Sequence, residues 1–192
     1  MIRSRVIAVI IIRDGQVVQS VQFKHTNVIH YDAFHAIDSF ARWNIDEIII
    51  LNVSKSRDSQ SEFLKIVEKV SETCFVPFSV GGWVDSVEYA QKLVSCGADK
   101  LVLNSAFYTN PELVKELVYI FGSQCITCSI DFILTEDGPE VAIEQGSRGI
   151  GVDPKIWAET VTELGAGEIM LNCVEHDGNR RGYHLEQLSE VT

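Results

Sequence analysis

Short runs of apolar, β-branched residues recur along the chain and alternate with amphipathic stretches of helical period. Six runs are typical of strands covered on both faces, namely residues 6–12, 48–53, 75–80, 101–103, 125–130 and 169–171. The amphipathic stretches predict helices over 61–73, 86–96, 111–121 and 154–164, with a last helix that begins near Leu185. This alternation predicts an α/β fold with a parallel sheet, built from six βα units.

Internal similarity narrows the architecture further. The Asp14-Gly15 step after the first strand resembles the Asp137-Gly138 step after the fifth, and both predict hairpin turns. The same similarity aligns Ile11 with Asp131, from residue 11 to residue 131, which is a half-repeat of 120 residues. Such a repeat predicts a closed barrel made of two similar halves of four units each.

The chain of 192 residues is short for such a barrel. An eight-unit (β/α) barrel typically needs ~250 residues. With a half-repeat of 120 residues, the counterparts of strands three and four would begin beyond Thr192. We therefore predict a single domain over residues 1–192, of the (β/α)8 TIM-barrel class but truncated to about six βα units and lacking strands seven and eight.

The charge balance excludes two classes of partner. The chain has 27 Asp plus Glu residues against 16 Lys plus Arg residues, a formal net charge of −11, which disfavours binding to nucleic acid and to anionic membranes. The longest apolar stretch, residues 6–12, is far below the ~20 residues needed to span a bilayer. Five cysteines, an odd number, and a start without a cleavage site predict a reduced, cytoplasmic protein.

Ten short motifs in chain order carry a family resemblance. They are Arg5-Val-Ile, Arg13-Asp-Gly, Ile45-Asp-Glu, Val80-Gly-Gly, Gly97-Ala-Asp-Lys, Phe121-Gly-Ser-Gln, Ser129-Ile-Asp131, Gly165-Ala-Gly-Glu, Asp177-Gly178 and Gly182-Tyr183. The chain resembles the cyclase subunit of imidazole glycerol phosphate synthase, the HisF family, over essentially its whole length. The resemblance implies a (β/α)8 barrel that takes ammonia from a glutaminase (HisH-like) partner. The ammonia is joined to a ribulosyl phosphate substrate, whose ring closes to imidazole glycerol phosphate.

Charged residues precede four of the predicted strands: Arg5, Glu47, Lys100 and Glu168. Two positive and two negative side chains at the amino-terminal mouth of a barrel can pair and close a narrow passage. By resemblance these four match the salt-bridge gate on the ammonia route of the family. The alternative is that they only solvate the end of the barrel.

Two candidate loops follow strands three and four at the carboxyl-terminal mouth, where barrels have their active sites. Gly81 and Gly82 allow backbone amides to approach an anion, and Asn104 and Ser105 add polar donors. By resemblance these four residues match one of the two phosphate sites of the family, with a plain tight turn as the alternative. Trp83 stands where the family has a third glycine.

The family uses two aspartates, at the ends of strands one and five, as acid and base. Asp131 matches the second of these positions, and we predict that it is catalytic. The first position is Ile11, which cannot transfer a proton, and Gln19 replaces the usual lysine on the following hairpin. Loss of one of two acid-base groups typically costs ~10²- to 10⁴-fold in rate, which argues against efficient histidine-pathway chemistry.

A third loop, after strand six, contains Asp177 and Gly178. In the family this loop places an aspartate near the substrate; the alternative is a solvated turn.

Cys125-x-x-Cys128 lies in a predicted buried strand without a second cysteine pair, and we interpret it as core. The five histidines lack the spacing of a metal site. We therefore predict neither a metal nor a cofactor.

These observations leave three functional hypotheses. The leading one is a HisF-like synthase subunit of a glutamine amidotransferase. It would aminate a sugar or phosphosugar, as in the cyclase-like paralogues associated with amidation of bacterial surface polysaccharide sugars. The first alternative is the cyclase of histidine biosynthesis itself, with Asp131 performing most of the proton transfer. The second alternative is a non-catalytic partner that docks a glutaminase.

Overall fold

Ten strands and seven α-helices alternate in the part of the chain that the computed structural model describes, residues 4–43 and 45–192. The strands are β1 (Ile7–Arg13), β2 (Gln16–Val21), β3 (His25–His30), β4 (Glu47–Asn52), β5 (Phe78–Gly81), β6 (Lys100–Leu103), β7 (Ile126–Thr135), β8 (Gly138–Ile143), β9 (Arg148–Gly149) and β10 (Glu168–Cys173). The helices are α1 (Ala33–Arg42), α2 (Gln60–Ser71), α3 (Val87–Ser95), α4 (Ala106–Thr109), α5 (Pro111–Phe121), α6 (Pro154–Glu163) and α7 (Leu185–Val191).

The chain divides into two units. The first contains the described residues up to Gln19 and those of Asn27–Val102, and the second contains Ser20–Thr26 and Leu103–Thr192. In the first unit β1, β4, β5 and β6 run parallel, and β2 returns antiparallel to β1. In the second unit β7 is parallel to β10 and antiparallel to β8, which pairs with β9.

Each unit has an apolar core between its strands and helices. In the first unit seven aliphatic side chains from β4, α2, β5, α3 and β6 have no exposed surface: Ile48, Ile50, Val67, Val80, Ala90, Leu93 and Leu101. In the second unit the corresponding residues come from α5, β7, β8 and α6: Val114, Leu117, Ile126, Cys128, Ile130, Ala142 and Val161. This burial of near-continuous apolar strands is what a parallel α/β fold requires.

Polar side chains define where several helices begin. Asp32 caps α1, and its carboxylate accepts a hydrogen bond from the amide of Phe34 at 2.9 Å. Asp153 caps α6 in the same way, through the amide of Lys155 at 2.8 Å. Asn110 accepts from the amide of Leu113 at 3.2 Å and is followed by Pro111 at the first helical position of α5. These caps satisfy backbone donors that a helix leaves unpaired at its start.

The Asp-Gly steps lie at hairpin turns, as the sequence predicts, although the two turns differ. Asp14 and Gly15 form the two-residue loop between β1 and β2, and both have positive φ, 49° and 74°. Two successive left-handed residues are the signature of a type I′ hairpin turn. In the second turn Thr135 pairs with Gly138, so the loop is Glu136-Asp137 and Gly138 already begins β8.

The predicted alternation of parallel strands with helices is confirmed within each unit. In the first unit a helix follows each of β1, β4, β5 and β6, and in the second a helix follows β7 and β10, with hairpin strands intervening after β1 and β7. The third strand differs, because it begins at Phe78 and Phe75 is 96% exposed. β1 also differs, since Val9 is 49% exposed between the half-buried Ala8 and the buried Ile10, so one face of this strand is covered rather than two. The single domain and the two missing strands stay predictions.

The sequence pattern did not locate α1 or α4. None of the helices in the described part of the chain combines the length and the apolar character that crossing a membrane requires.

Candidate functional site

Asp131 is a buried carboxylic acid on β7, and its side chain is held by polar neighbours of the second unit. The residue is 7% exposed. Ser129 Oγ donates to Asp131 Oδ1 at 3.2 Å, and Asn104 Nδ2 donates to Asp131 Oδ2 at 3.2 Å. β10 runs beside it with Asn172 in register. The predicted catalytic residue is therefore fixed in orientation.

Burial raises the pKa of Asp131 to about 7, because the charged form loses its hydration. Hydrogen bonds from Ser129 and Asn172 favour the ionised form and oppose this rise, while the nearby negative charge of Asp177 adds to it. A carboxyl group that titrates near neutral pH can either take or give a proton during a reaction. This is the property that an acid-base catalyst requires.

Asn104 and Ser105, two of the predicted phosphate ligands, follow β6, and Asn104 binds Asp131 and its strand. Asn104 Nδ2 also donates to the backbone oxygen of Ser129 at 2.9 Å. Ser105 Oγ donates to Asn104 Oδ1 at 3.0 Å and accepts from the amide of Glu144 at 3.0 Å. Both side chains thus already donate hydrogen bonds within the protein, and their role toward a phosphate stays a prediction.

Gly81 and Gly82, the other predicted phosphate ligands, lie at the end of β5 in the first unit. A Cβ on Gly81 would lie 2.6 Å from the backbone oxygen of Val102. Gly82 has φ of 104°, and a Cβ there would lie 2.1 Å from the backbone oxygen of Asn52. Close packing of β4, β5 and β6 alone accounts for both glycines, so a phosphate site at this loop is a prediction that rests on the resemblance.

Trp83 follows the two glycines and has a left-handed backbone with φ of 57°, an unusual conformation for a residue with a side chain. Its indole Nε1 donates to the backbone oxygen of Ser54 at 2.8 Å. Its own backbone oxygen accepts from Gln60 Nε2 at 2.8 Å. The side chain is thus anchored across the end of β4, while the residue is 37% exposed.

Asp177 and Gly178 lie on the loop after β10 and contact the turn between β2 and β3. Asp177 Oδ2 accepts from the amide of Phe23 at 3.3 Å, and its backbone oxygen accepts from the amide of Gln22 at 3.1 Å. Gln22 and Phe23 both have left-handed backbones, with φ of 53° and 57°. A Cβ on Gly178 would lie 2.3 Å from the backbone oxygen of Ser20. The loop is therefore packed and held rather than freely solvated.

A cavity of about 310 Å³ lies in the second unit, lined by the end of β10 and by the loop that follows it. Six of its polar and aromatic lining residues are Asn172, His176, Asp177, Arg180, Tyr183 and His184. The rings of His176 and His184 lie 5.4 Å apart between centroids. Its volume lies at the lower end of the range for sites that bind small molecules, so it is a candidate substrate cavity.

Three side chains of the first unit converge on Glu47, which begins β4 and is 2% exposed. Lys100 Nζ lies 3.3 Å from Glu47 Oε1, and Arg5 Nη1 lies 3.5 Å from Glu47 Oε2. Ser79 Oγ donates to Glu47 Oε1 at 3.0 Å. Three of the four predicted gate residues are therefore joined in one ion-pair cluster.

The fourth predicted gate residue, Glu168, belongs to the second unit. It begins β10 and lies opposite Thr127 of β7 in the parallel register. Its participation in the gate stays a prediction.

Three further polar residues belong to these clusters and were not predicted as site residues: Ser79, Ser129 and Asn172. Each had a signal in the sequence. Ser129 lies two residues before Asp131 on the same strand, which places both on one face. Ser79 and Asn172 are polar residues in runs that are otherwise apolar, and their partners come from neighbouring strands.

Within residues 4–43 and 45–192, no three His, Cys, Asp or Glu side chains form a group that could hold a metal ion. All five cysteines are free thiols, and Cys128 has no exposed surface. Burial raises the pKa of the Cys128 thiol well above its usual value, as expected for a core thiol.

The family is decided by comparison with known proteins. A family model described as "Histidine biosynthesis protein" matches residues 5–192. The chain belongs to this family. A HisF-named relative from Natranaerobius thermophilus, an imidazole glycerol phosphate synthase subunit, is 36% identical over 191 residues, which cover 100% of this chain and 76% of the relative.

Two further members of this histidine biosynthesis family give the same result. A Vibrio vulnificus protein named putative imidazole glycerol phosphate synthase subunit hisF2 is 36% identical over 192 residues, covering 100% of this chain and 70% of that protein. The Pyrococcus furiosus HisF subunit is 37% identical over 188 residues, covering 96% of this chain and 73% of that protein. The chain thus spans about three quarters of these relatives, and the resemblance to HisF is confirmed. Their names favour the cyclase hypothesis over amidation of surface sugars.

Besides Trp83, the chain differs from the pattern that the HisF resemblance implies at two positions. Where the family has a carboxylate at the end of the first strand, Ile11 pairs with Leu51 of β4 and Val18 of β2. Gln19, the second departure, is exposed on β2. Of the two acid-base positions that the resemblance implies, only that of Asp131 has an ionisable side chain.

Proposed function

We propose that the chain is a HisF-type cyclase subunit of imidazole glycerol phosphate synthase, which joins ammonia to a ribulosyl phosphate substrate. The observation that carries this proposal is Asp131, a buried carboxyl group with a pKa raised to about 7 and fixed by hydrogen bonds from Asn104 and Ser129. Family membership and the names of the relatives support the same function.

In the proposed reaction ammonia attacks the carbonyl carbon of the ribulosyl group, and the carbonyl oxygen takes the electron pair of its broken π bond. Ionised Asp131 accepts the excess proton from the attacking nitrogen. The resulting carboxylic acid returns this proton to the oxyanion, which becomes a hydroxyl group. The same carboxyl group then transfers a second proton from the nitrogen to this hydroxyl group, which leaves as water while a carbon–nitrogen double bond forms. One carboxyl group can serve both steps because its pKa lies near neutrality.

The resemblance assigns the substrate phosphate to backbone amides at Gly81 and Gly82 and to the loop of Asn104 and Ser105. Asp177 and Gly178 would contact the substrate from the loop after β10, next to the cavity of about 310 Å³. The net charge of −11 opposes binding of an anion, so local amide donors must provide the attraction.

Ammonia would come from a glutaminase subunit similar to HisH. Glu47, Lys100 and Arg5, paired at 3.3 and 3.5 Å, are suited to a gate because their ion pairs can break and re-form without a change in the fold. Glu168 would be the fourth residue of this gate.

The test measures ammonium-dependent turnover of purified protein with the ribulosyl phosphate substrate, and growth of a histidine auxotroph that lacks its own cyclase. We expect ring closure to imidazole glycerol phosphate, lost in Asp131→Asn and kept in the matched exposed variant Asp137→Asn. Absence of turnover with an intact fold would contradict this proposal and favour a subunit that only docks a glutaminase.

Ile11 favours a second candidate, amination of a sugar or phosphosugar without ring closure. Simple amination requires fewer proton transfers than closing an aromatic ring, so one carboxyl group suffices. Mass spectrometry distinguishes the two, since amination without ring closure leaves an acyclic amine or imine. Robust growth of the auxotroph would eliminate this candidate.

A further inference from the structure

Two histidine rings line the cavity of about 310 Å³ in the second unit, and the fold fixes the orientation of both. The rings of His176 and His184 lie 5.4 Å apart between centroids, tilted by 49° to each other. Phe132 packs edge-on against His184, with centroids 5.6 Å apart and an angle of 88° between the ring planes. Because Phe132 is 1% exposed, this contact holds His184 against the core.

The hydrogen-bond partners of the two Nδ1 atoms determine where each neutral ring carries its proton. His176 Nδ1 lies 3.0 Å from the backbone oxygen of Gly182. A carbonyl oxygen only accepts, so this Nδ1 carries the proton and Nε2 has the lone pair. His184 Nδ1 accepts from the amide of Gln187 at 3.2 Å. An amide N–H only donates, so here Nδ1 has the lone pair and Nε2 carries the proton.

The two Nε2 atoms are open to a ligand and have opposite hydrogen-bonding character. Neither Nε2 bonds to any residue that the structure describes, and neither is shielded from solvent. In the neutral rings His176 Nε2 accepts a hydrogen bond, whereas His184 Nε2 donates one. A hydroxyl group does both, while a fully ionised phosphate monoester only accepts. The pair is therefore complementary to the hydroxyl groups of a sugar chain.

The same cavity contacts the neighbours of the acid-base group. Asn172 lines the cavity, and its side chain also forms a hydrogen bond with Asp131. Asp177 lines the cavity as well, and its charge acts on Asp131. A ligand that contacts Asn172 is therefore one side chain away from Asp131. This position suits the part of a substrate that is bound beside the reacting carbon and does not itself react.

We propose that this cavity binds the hydroxyl-bearing chain of the ribulosyl phosphate, with His176 Nε2 as acceptor and His184 Nε2 as donor. The proposal rests on the proposed function and adds to it where the sugar hydroxyls bind. A phosphate group fits less well, because it would face the lone pair of His176. A metal ion also fits less well, because no third His, Cys, Asp or Glu of the described residues joins the two histidines.

The test replaces each histidine by asparagine, whose side chain reaches as far as Nδ1 of a histidine but not as far as Nε2. In His176→Asn the amide nitrogen keeps the bond to the backbone oxygen of Gly182. In His184→Asn the amide oxygen keeps the bond from the backbone amide of Gln187. Each variant thus loses the ring nitrogen that is open to the ligand. His25→Asn, at an exposed position of β3, is the matched control.

Calorimetry at pH 8 measures the dissociation constants of two probes. One is D-ribulose 5-phosphate, and the other is pentyl phosphate, which has the same number of carbon atoms but no hydroxyl groups on its chain. We expect His176→Asn and His184→Asn each to weaken binding of ribulose 5-phosphate about 3- to 10-fold, the effect of one hydrogen bond. Binding of pentyl phosphate should stay unchanged, and His25→Asn should bind both probes as the wild type does.

Three results would overturn the proposal: no binding of ribulose 5-phosphate to the wild type, an unchanged dissociation constant in both variants, or an equal loss for both probes. These measurements need no turnover, whereas the proposed function fails if ring closure is absent. Nitrogen NMR of the histidine rings is a second check that needs no ligand. We expect the proton on Nδ1 of His176 and on Nε2 of His184, and the opposite tautomers would also overturn the proposal.

Discussion

Asn104 Nδ2 donates a hydrogen bond of 3.2 Å to Asp131 Oδ2. This bond joins a residue expected at a phosphate site to the residue expected to transfer protons. Asn104 also donates to the backbone of Ser129, so the amide spans β6 and β7 and orients the carboxyl group. Substrate binding at this loop would therefore directly affect the group that performs the chemistry.

Asp131→Asn should abolish ammonium-dependent turnover while stabilising the fold at neutral and alkaline pH. The folded pKa of Asp131, about 7, is above the unfolded value of ~3.9, so folding favours the protonated form. The contribution of Asp131 to the free energy of unfolding is therefore fully present below about pH 4, and it is lost as the pH rises to about 7.

Urea denaturation of both proteins between pH 4.5 and 8 measures this effect. The stability of the variant relative to wild type should increase with pH across this window, by up to a few kcal/mol. A constant difference at every pH would contradict the raised pKa. Asp137→Asn, an exposed control, should change neither activity nor the pH dependence.

Asp177→Asn should shift the pH profile of kcat/KM to lower pH. The charge of Asp177 raises the pKa of Asp131, so neutralising it should lower that pKa. Because Asp131 first acts as a base, activity should rise as pH increases through its pKa.

Asn104→Leu should shift the same profile in the opposite direction. It removes a donor to the ionised carboxylate and thereby raises the pKa of Asp131. Both shifts are read from the ascending limb of kcat/KM. If the ascending limbs of Asp177→Asn and Asn104→Leu moved in the same direction, Asp131 would not be the titrating group.

Ile11→Asp should increase ring closure, since it restores a carboxylate where the HisF resemblance implies one. We expect a gain of about 10²-fold, the lower end of the ~10²- to 10⁴-fold contribution of an acid-base group. Ile11→Asn provides the control, because it has a similar shape and polarity but cannot transfer a proton. Equal turnover in the two variants would mean that Asp131 alone meets the requirement for proton transfer.

The parallel strands and most helices could be predicted because they follow from local periodicity. The ion-pair cluster at Glu47 and the surroundings of Asp131 were only partly predictable, since their geometry depends on pairing between distant segments. Nothing near Asn104 in the sequence indicates that its amide binds Asp131, which is 27 residues away. Phe75 shows a second reason why the sequence falls short. The apolar run predicts this residue in the third strand, but an apolar residue joins a buried strand only where the fold covers its side chain, and Phe75 is exposed.

Trp83→Gly should destabilise the protein less than Trp83→Ala. Both variants lose the hydrogen bond from the indole to Ser54, but only glycine adopts the φ of 57° without steric cost. The difference in the free energy of unfolding should be about 1 kcal/mol, measured by urea denaturation. Equal stability of the two variants would indicate that the loop relaxes to another conformation in the alanine variant.

Glu47→Gln should affect the use of glutamine-derived ammonia more than the use of free ammonium. The side-chain amide of this variant would keep the hydrogen bond with Ser79 but lose the charge that pairs with Lys100 and Arg5. Removing one partner of a buried ion pair typically lowers the free energy of unfolding by ~3–5 kcal/mol. Glutamine is therefore chosen because its side-chain amide keeps one of the hydrogen bonds of Glu47.

The measurement compares two turnover rates in the presence of a glutaminase subunit, one with glutamine and one with ammonium chloride. A gate that controls entry of ammonia predicts that the ratio of the two rates changes at least severalfold. Glu112→Gln is the matched control, since Glu112 pairs with Lys115 on the surface at 2.7 Å. If both rates fall equally in Glu47→Gln while Glu112→Gln is unaffected, then the Glu47 cluster stabilises the first unit and does not gate ammonia.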